Sequence, residues 1–145
     1  MGKATDEFMR KTTEPVRRVM RHAAEAAKKA GRRGLTPPDV FRALFDMPDG
    51  FHLRLLADAL YLDMNKLRAL ARDWELPPGP EHDWTIMIMA NVAAEAALDR
   101  RRLINTEDVL LALLRVWPAA PCSVAIFKAA GGTIDHVRRR ITEHG

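Results

Sequence analysis

Apolar residues recur along this chain at the spacing of helices that bury one face. Between Val16 and Ala27, valine, methionine and alanine return every three or four positions. The same spacing continues through DVFRALF, which begins at Asp39, until the sequence MPDG interrupts it. Because the periodic segments are bounded by proline, glycine or residues of N-cap type, the pattern predicts an all-α fold.

This apolar pattern occurs twice. The sequence AAEAA at residues 23–27 recurs at residues 93–97, an offset of 70. DVFRALF from Asp39 matches DVLLALL from Asp108 at an offset of 69, and one residue of slack in a loop explains the change. The chain therefore contains a tandem repeat.

The end of each copy supports the same alignment. DMNKLR from Asp63 matches TIDHVR from Thr133, and both first residues are of N-cap type. Residues 17–74 thus lie over residues 87–143, and the sequence ELPPGPEHD at 75–83 separates the copies, since its three prolines cannot continue a helix.

Each copy predicts four helices, whose starts are marked by Ser, Thr or Asp or by an early proline. In the first copy they lie between Thr13 and Gly31, between Thr36 and Met47, at about residues 51–60, and from Asp63 to Trp74. In the second copy they lie at about residues 85–100, 106–116, 123–130 and 133–143.

These segments divide the chain into a short N-terminal extension, residues 1–12, and one double-repeat domain, residues 13–145, with repeat one at 13–74 and repeat two at 84–143. Copies of about 60 residues would be marginal alone, so we expect one monomeric pseudo-twofold bundle with a shared core. Small side chains let helix axes approach closely, which makes the two AAEAA helices candidates for the central crossing. The alternative is that alanine is simply a good helix former.

Composition agrees with a globular protein that works inside the cell. Hydrophobic residues make up 48% of the 145, and 23 Lys and Arg against 19 Asp and Glu give a net charge of +4. The single cysteine, Cys122, cannot form an internal disulfide, which suits a reducing cytoplasm. The amino terminus lacks a signal-peptide core, and Asn91 and Glu95 interrupt the longest apolar run, so we expect no membrane segment.

The sequence offers no catalytic constellation, and we expect neither an enzyme nor a bound cofactor or metal. The five histidines are scattered without ligand spacing, and no phosphate-binding G-x-x-x-x-G-K-[ST] occurs. Cys122 follows Pro121 near a helix start, but no histidine partner can be placed beside it. Met87 and Met89 have two interpretations, as core residues or as part of an adaptable peptide groove.

Basic clusters leave a nucleic-acid-binding helical protein as the alternative function. They are KKAGRR at residues 28–33 and RRR at residues 100–102 and 138–140. The first two follow the opening helix of each copy, where cations complement the helix dipole. No aromatic residues are interleaved with them to stack on bases, so this alternative is the weaker one.

The sequences TEPVRRVMRHAAEAAKKAG, TEDVLLALLR and LDMNKLR, in a tandem repeat of this length, resemble the amino-terminal domain of the Clp/Hsp100 unfoldases, the Clp repeat domain. The resemblance covers nearly the whole chain. It implies an all-helical pseudo-dimer that binds substrates, adaptors or the unfoldase and protease assembly without catalysing a reaction. Since no ATPase motif is present, the chain is either a free-standing Clp repeat protein, the interpretation we favour, or a fragment of a longer unfoldase.

The resemblance also implies a ligand site, because some family members bind phosphorylated arginine beside a Thr-Glu pair at the start of the second helix of each repeat. Here the second copy keeps the pair, so a phosphoarginine or anionic-peptide site is expected at Thr106, Glu107, Asp108 and Val109, with the amides of Asp108 and Val109 exposed. The alternative is that Thr106 is an N-cap and Glu107 a first-turn acid.

The first copy departs from that pattern. It reads Thr36, Pro37, Pro38, Asp39, so the prolines remove amide donors and the glutamate is missing. We therefore expect a degenerate, silent site at Thr36 and Asp39.

Overall fold

A computed structural model describes residues 3–32, 34–46, 58, 60–75, 84–98 and 103–144. Across those ranges the chain forms eight α-helices and no strand, apart from one isolated bridge between Thr12 and Ile104. The prediction of an all-α fold is confirmed. The helices are α1 (Lys3–Arg10), α2 (Glu14–Lys29), α3 (Pro37–Asp46), α4 (Met64–Asp73), α5 (Thr85–Leu98), α6 (Thr106–Val116), α7 (Pro121–Ala130) and α8 (Ile134–His144).

Local capping chemistry places several helix starts where the sequence predicts them. The Asp63 side chain accepts a hydrogen bond from the amide of Asn65 at 2.9 Å, and α4 begins next to it. Thr133 Oγ1 accepts from the amide of His136 at 3.2 Å and precedes α8 in the same way. Helix α7 begins two residues before the predicted start, because Pro121 fits the first turn of a helix.

Two parts of the helix prediction have different outcomes. The N-terminal extension contains an additional helix, α1, that was not predicted, and the Phe8 side chain of this helix is buried. The helix predicted at about residues 51–60 lies outside the described residues, except for Asp58 and Leu60.

The centre of the core is the contact between α3 and α6, not the predicted crossing of the alanine-rich helices. Helix α6 is buried from Thr106 to Leu114, and α3 is buried from Pro37 to Phe45 except at Arg42. Helix α2 packs along α3 and α5 along α6. The prediction was wrong because burying large aliphatic and aromatic side chains stabilises a core more than close approach of alanines does.

The two AAEAA sequences are not structurally equivalent, although their letters are identical. The buried positions of α2 and α5 correspond at an offset of 69, one residue less than the literal match. In pairs they are Val19 and Ile88, Met20 and Met89, Ala23 and Val92, and Ala27 and Ala96. Glu25 is therefore exposed while Glu95 is buried, and Ala94, expected in the crossing, is exposed.

The segment before the first helix of each copy contacts the turn before the second helix of the other copy. The Thr13 amide donates to the Ile104 carbonyl at 3.0 Å. Reciprocally, the Trp84 amide donates to the Leu35 carbonyl at 3.2 Å, and Thr85 Oγ1 accepts from the Leu35 amide at 3.0 Å. The copies thus exchange hydrogen bonds across a single hydrophobic core, while their pseudo-twofold relation stays a prediction.

Arginines also join α3 and α4 at their C-terminal ends. Arg42 lies on α3 and donates to the carbonyls of Ala71 and Arg72 in the last turn of α4, at 2.9 and 3.1 Å, and to that of Trp74, which follows the helix, at 2.6 Å. Arg68 of α4 donates to the Phe45 carbonyl of α3 at 2.7 Å. Each helix therefore supplies donors for carbonyls that have no partner within the other helix.

The turn before α4 places a tyrosine where the other copy has a glycine. Tyr61 has φ of 55° and Gly131, 70 positions later, has φ of 113°. A side chain in this left-handed region costs about 1 kcal/mol or more. We expect Tyr61→Gly to raise the free energy of unfolding by up to about 1 kcal/mol, since the lost strain outweighs the added chain entropy.

Denaturant melts of Tyr61→Gly and Gly131→Ala would check this. Gly131→Ala should destabilise the protein, because it creates the same strain and its new Cβ would lie 3.4 Å from the ring of His136. A loss of stability in Tyr61→Gly would mean that the Tyr61 side chain contributes more than its backbone costs.

Candidate functional site

The residues of the expected ligand site lie at the buried start of α6. Thr106, Glu107, Asp108 and Val109 are at most 8% exposed. Asn105 occupies the N-cap position, with φ of −105° and ψ of 168°, and Thr106 is the first helical residue. The alternative that Thr106 caps the helix is therefore wrong, because the cap lies one residue earlier.

The amides expected to face a ligand are already bonded. Those of Asp108 and Val109 both donate to the Asn105 carbonyl, at 3.0 and 3.4 Å. The Asn105 amide in turn donates to Asp108 Oδ2 at 2.8 Å. The expectation of exposed amides at Asp108 and Val109 is wrong, since the capping residue supplies the acceptor.

The corresponding residues of the first copy form a cap of the same kind. Asp39 is 1% exposed, and its Oδ2 accepts from the Thr36 amide at 3.0 Å and from Thr36 Oγ1 at 2.8 Å. Arg32 donates to the other carboxylate oxygen. In both copies, then, the aspartate at the third helical position fixes the turn into a core helix, and a ligand role for either site stays a prediction.

A buried carboxylate that is absent from the predicted site joins three helices of the second copy. Glu95 of α5 is 1% exposed, and its two oxygens accept from Arg115 of α6 and from Arg138 of α8. One signal was available in the sequence. Glu95 lies seven residues after Ile88 and three after Val92, which places it on the apolar side of its helix.

We expect Glu95→Ala to lower the free energy of unfolding by roughly 2 to 3 kcal/mol, because both arginines lose a charged acceptor. The value lies below that of a fully buried pair, since the Arg115 side chain is 45% exposed and is screened by solvent. Thermal or urea unfolding measures it, with Glu25→Ala as the matched control in the exposed AAEAA. Equal losses in the two variants would contradict a specific role for Glu95.

The described residues contain no group of three or more His, Cys, Asp or Glu side chains that could hold a metal ion. Of the five histidines, His22 is exposed and the His136 ring Nδ1 lies 2.6 Å from Thr133 Oγ1. His52 and His82 lie outside the described residues, as does the side chain of His144. Cys122 is fully buried, and its thiol donates to the Leu67 carbonyl at 3.6 Å.

Burial raises the pKa of the Cys122 thiol from 9.0 to about 12. We expect the folded protein to react with Ellman's reagent at pH about 8 at least about 100-fold more slowly than the unfolded protein, because thiolate is scarce and inaccessible. Stopped-flow absorbance measures the rate, and Cys122, the only cysteine, leaves no competing signal.

The same shift has a consequence for stability. Between pH 9 and about 12 the folded state retains a thiol proton that the unfolded state releases. The contribution of Cys122 to the free energy of unfolding is therefore fully present below pH 9 and is lost as pH rises towards 12. Cys122→Ala should remove that part of the pH dependence. Rapid labelling of the folded protein would contradict both expectations.

Helix α5 exposes a face that carries no charge. Its solvent-facing residues, all alanine, methionine or leucine, are Met87, Ala90, Ala93, Ala94, Ala97 and Leu98. Leu98 is 64% exposed. Of the two methionines considered for a groove, Met87 belongs to this face and Met89 is in the core. We call these six residues the α5 face.

The equivalent positions of α2 are mostly charged. At the offset of 69, the residues that correspond to Met87, Ala90, Ala94, Ala97 and Leu98 are Arg18, Arg21, Glu25, Lys28 and Lys29. All of these except Arg18, which is partly buried, are exposed. The two outer helices thus keep the same buried side and differ on the side that faces solvent.

No single helix in the described part of the chain is long and apolar enough to span a membrane. Helices α6 and α7 together have the length and composition of a broken span, with a bend of 104° between them.

Comparison with known proteins identifies the fold. No protein-family model matches the sequence, and no curated protein matches it either. Among solved structures, the Hsp104 N-terminal domain from Candida albicans aligns with a TM-score of 0.64 and 18% identity, over 91% of this chain and 89% of that chain. The chain therefore has a fold like that of a Clp/Hsp100 N-terminal domain.

Proposed function

We propose that this chain is a non-catalytic, cytoplasmic protein-interaction domain that acts in Clp-type proteolysis and binds substrates, adaptors or the unfoldase and protease assembly. The observation that carries the proposal is the α5 face. It lies on a fold otherwise seen in the N-terminal domain of Hsp104, and it exposes apolar side chains at successive turns of one helix.

A helix face of this composition suits contact with another polypeptide. Burial of apolar area contributes about 25 cal/mol per Å², so covering Met87 and Leu98 favours association. Between these two residues lie three alanines, Ala90, Ala94 and Ala97. Their small side chains let the backbone of a partner approach closely, and they lose almost no side-chain entropy when the partner binds. Contact with unfolded or helical segments of a partner is therefore favoured along this face.

The phosphoarginine or anionic-peptide site at Thr106, Glu107, Asp108 and Val109 is a separate proposal. Its support is the position at a helix N-terminus, where anions are favoured. Glu107 Oε1 lies 3.5 Å from Asn105 Nδ2, so a ligand that uses this carboxylate competes with the capping residue. The α5 face needs no such rearrangement, and we base the function on it.

Binding to a permanently unfolded polypeptide tests the function. With fluorescently labelled, reduced and carboxymethylated α-lactalbumin as the client, Ala90→Glu combined with Ala94→Glu should weaken binding by at least about tenfold, because the acids must be desolvated in the contact. Both alanines are exposed, so the fold should tolerate the changes.

The matched control is Ala119→Glu combined with Ala129→Glu, which adds the same two charges at exposed alanines just before and within α7. It should leave client binding within about twofold. Equal weakening in the control, or unchanged binding in the α5 variant, would overturn the assignment of this face. No binding of the unfolded client by the wild-type chain would overturn the proposed function.

A further inference from the structure

The excess positive charge of this chain is concentrated on α2. The helix carries five Lys and Arg against two Glu, while the whole chain has a net charge of +4. The buried side of α2 is apolar, since it consists of valine, methionine and alanine. The charged residues therefore occupy the side that faces solvent.

Two of the five cations form ion pairs with a glutamate of the same helix. Arg17 donates to Glu14 at 2.8 Å, and Arg18 lies 3.9 Å from the other oxygen of the same carboxylate. The hydrogen bond and the positive charge of Arg17 lower the pKa of Glu14, so this carboxylate is ionised at neutral pH. Among the residues that the structure describes, Glu14 is paired only with cations at the start of α2, and the charge of Arg21 lowers its pKa less than theirs do.

The other three cations are exposed and have no ion pair in the described part of the chain. They are Arg21, Lys28 and Lys29, which we call the α2 basic face. The helix dipole favours Lys28 and Lys29 in the last turn, but it does not explain Arg21 in the middle of the helix. Two turns of helix, about 10 Å, separate Arg21 from Lys28.

We propose that the α2 basic face docks an acidic segment of a partner polypeptide, which rests on the proposed function as a protein-interaction domain. Glutamates or aspartates seven or eight residues apart on a partner helix match Arg21 and the Lys28–Lys29 pair. Charge complementarity of this kind guides encounter and fixes the orientation of the bound segment.

The composition of the face favours a polypeptide over nucleic acid. Glu25 lies between Arg21 and Lys28 and repels a continuous phosphate backbone, whereas a peptide can omit an acid at that position. Three cations release few counterions when they contact a phosphate backbone, so their electrostatic contribution to nucleic-acid binding is small at physiological salt. Helix α2 also contains no aromatic residue that would stack on bases.

The test uses the full chain and a fluorescein-labelled peptide of about 20 residues that carries two glutamates in each heptad. Anisotropy is followed at about 50 mM and about 200 mM salt. The variant Arg21→Glu, Lys28→Glu, Lys29→Glu should weaken binding by at least about tenfold at the lower salt, since three attractive contacts become repulsive.

The matched control reverses the same number of charges elsewhere. Lys66→Glu, Arg72→Glu, Arg139→Glu changes three exposed cations of α4 and α8 and leaves the net charge equal to that of the α2 variant. It should bind the peptide within about threefold of wild type. Circular dichroism confirms that both variants are folded.

Three results would overturn the inference. The first is that the wild-type chain does not bind the peptide at the lower salt. The second is that both triple variants weaken peptide binding equally. The third is that the wild-type chain binds a duplex DNA more tightly than the peptide and that the α2 variant loses this DNA binding. The last result would assign the face to nucleic acid. Because the unfolded-client assay depends on the α5 face, binding there in the α2 variant shows that the proposed function stands even if this inference fails.

Discussion

Burial of α3 against α6 is the constraint on which the rest of this structure depends. The two helices contribute an almost unbroken run of buried positions, including Val109 to Leu114 at no more than 2% exposure. Amphipathic surface helices bury one side only, so a helix buried on nearly all sides must be covered from several directions. Helices α2 and α5 each cover one of the two, and α4 and α8 close the remaining sides.

A buried helix also needs its end groups satisfied, and this explains the two aspartates. Asp39 and Asp108 are almost completely buried, yet each accepts from the backbone of the residue that precedes its helix. Because an unmet amide in the core would cost about 1 to 3 kcal/mol, the carboxylate at the third helical position is required by burial. The same requirement accounts for the acid in these two turns without a ligand, and it makes capping residues a poor guide to binding sites in this fold.

Features of the structure that depend on neighbouring residues, such as helix caps, can be predicted from the sequence. Features that depend on contacts with distant residues, such as the ion partners of a buried carboxylate, cannot. The caps Asp63 and Thr133 and the end of α6 at Val116 follow from local chemistry. The position of the cap before α6 could not be predicted, because Asn105 and Thr106 are both capping types and stand side by side.

Tertiary partners decide the parts that were missed. The spacing from Ile88 and Val92 places Glu95 on the apolar side of its helix, but its partners lie 20 and 43 residues away, so no local pattern indicates which cations neutralise it. The predicted crossing of the alanine-rich helices is wrong for the same reason. The identical AAEAA letters align at an offset of 70, whereas the buried positions of the two helices correspond at an offset of 69. The α5 face was not predicted, because the sequence does not show that Met87 is exposed while Met89 is buried.

Outer helices that share a buried side are free to differ on the side that faces solvent. The core sets the residues of α2 and α5 at equivalent buried positions, including Met20 and Met89, but it places no demand on Arg21 or Ala90. Solubility alone would favour charge at both exposed positions. Because the fold leaves both surfaces free, the contacts proposed for them account for an uncharged face on α5 and a basic face on α2.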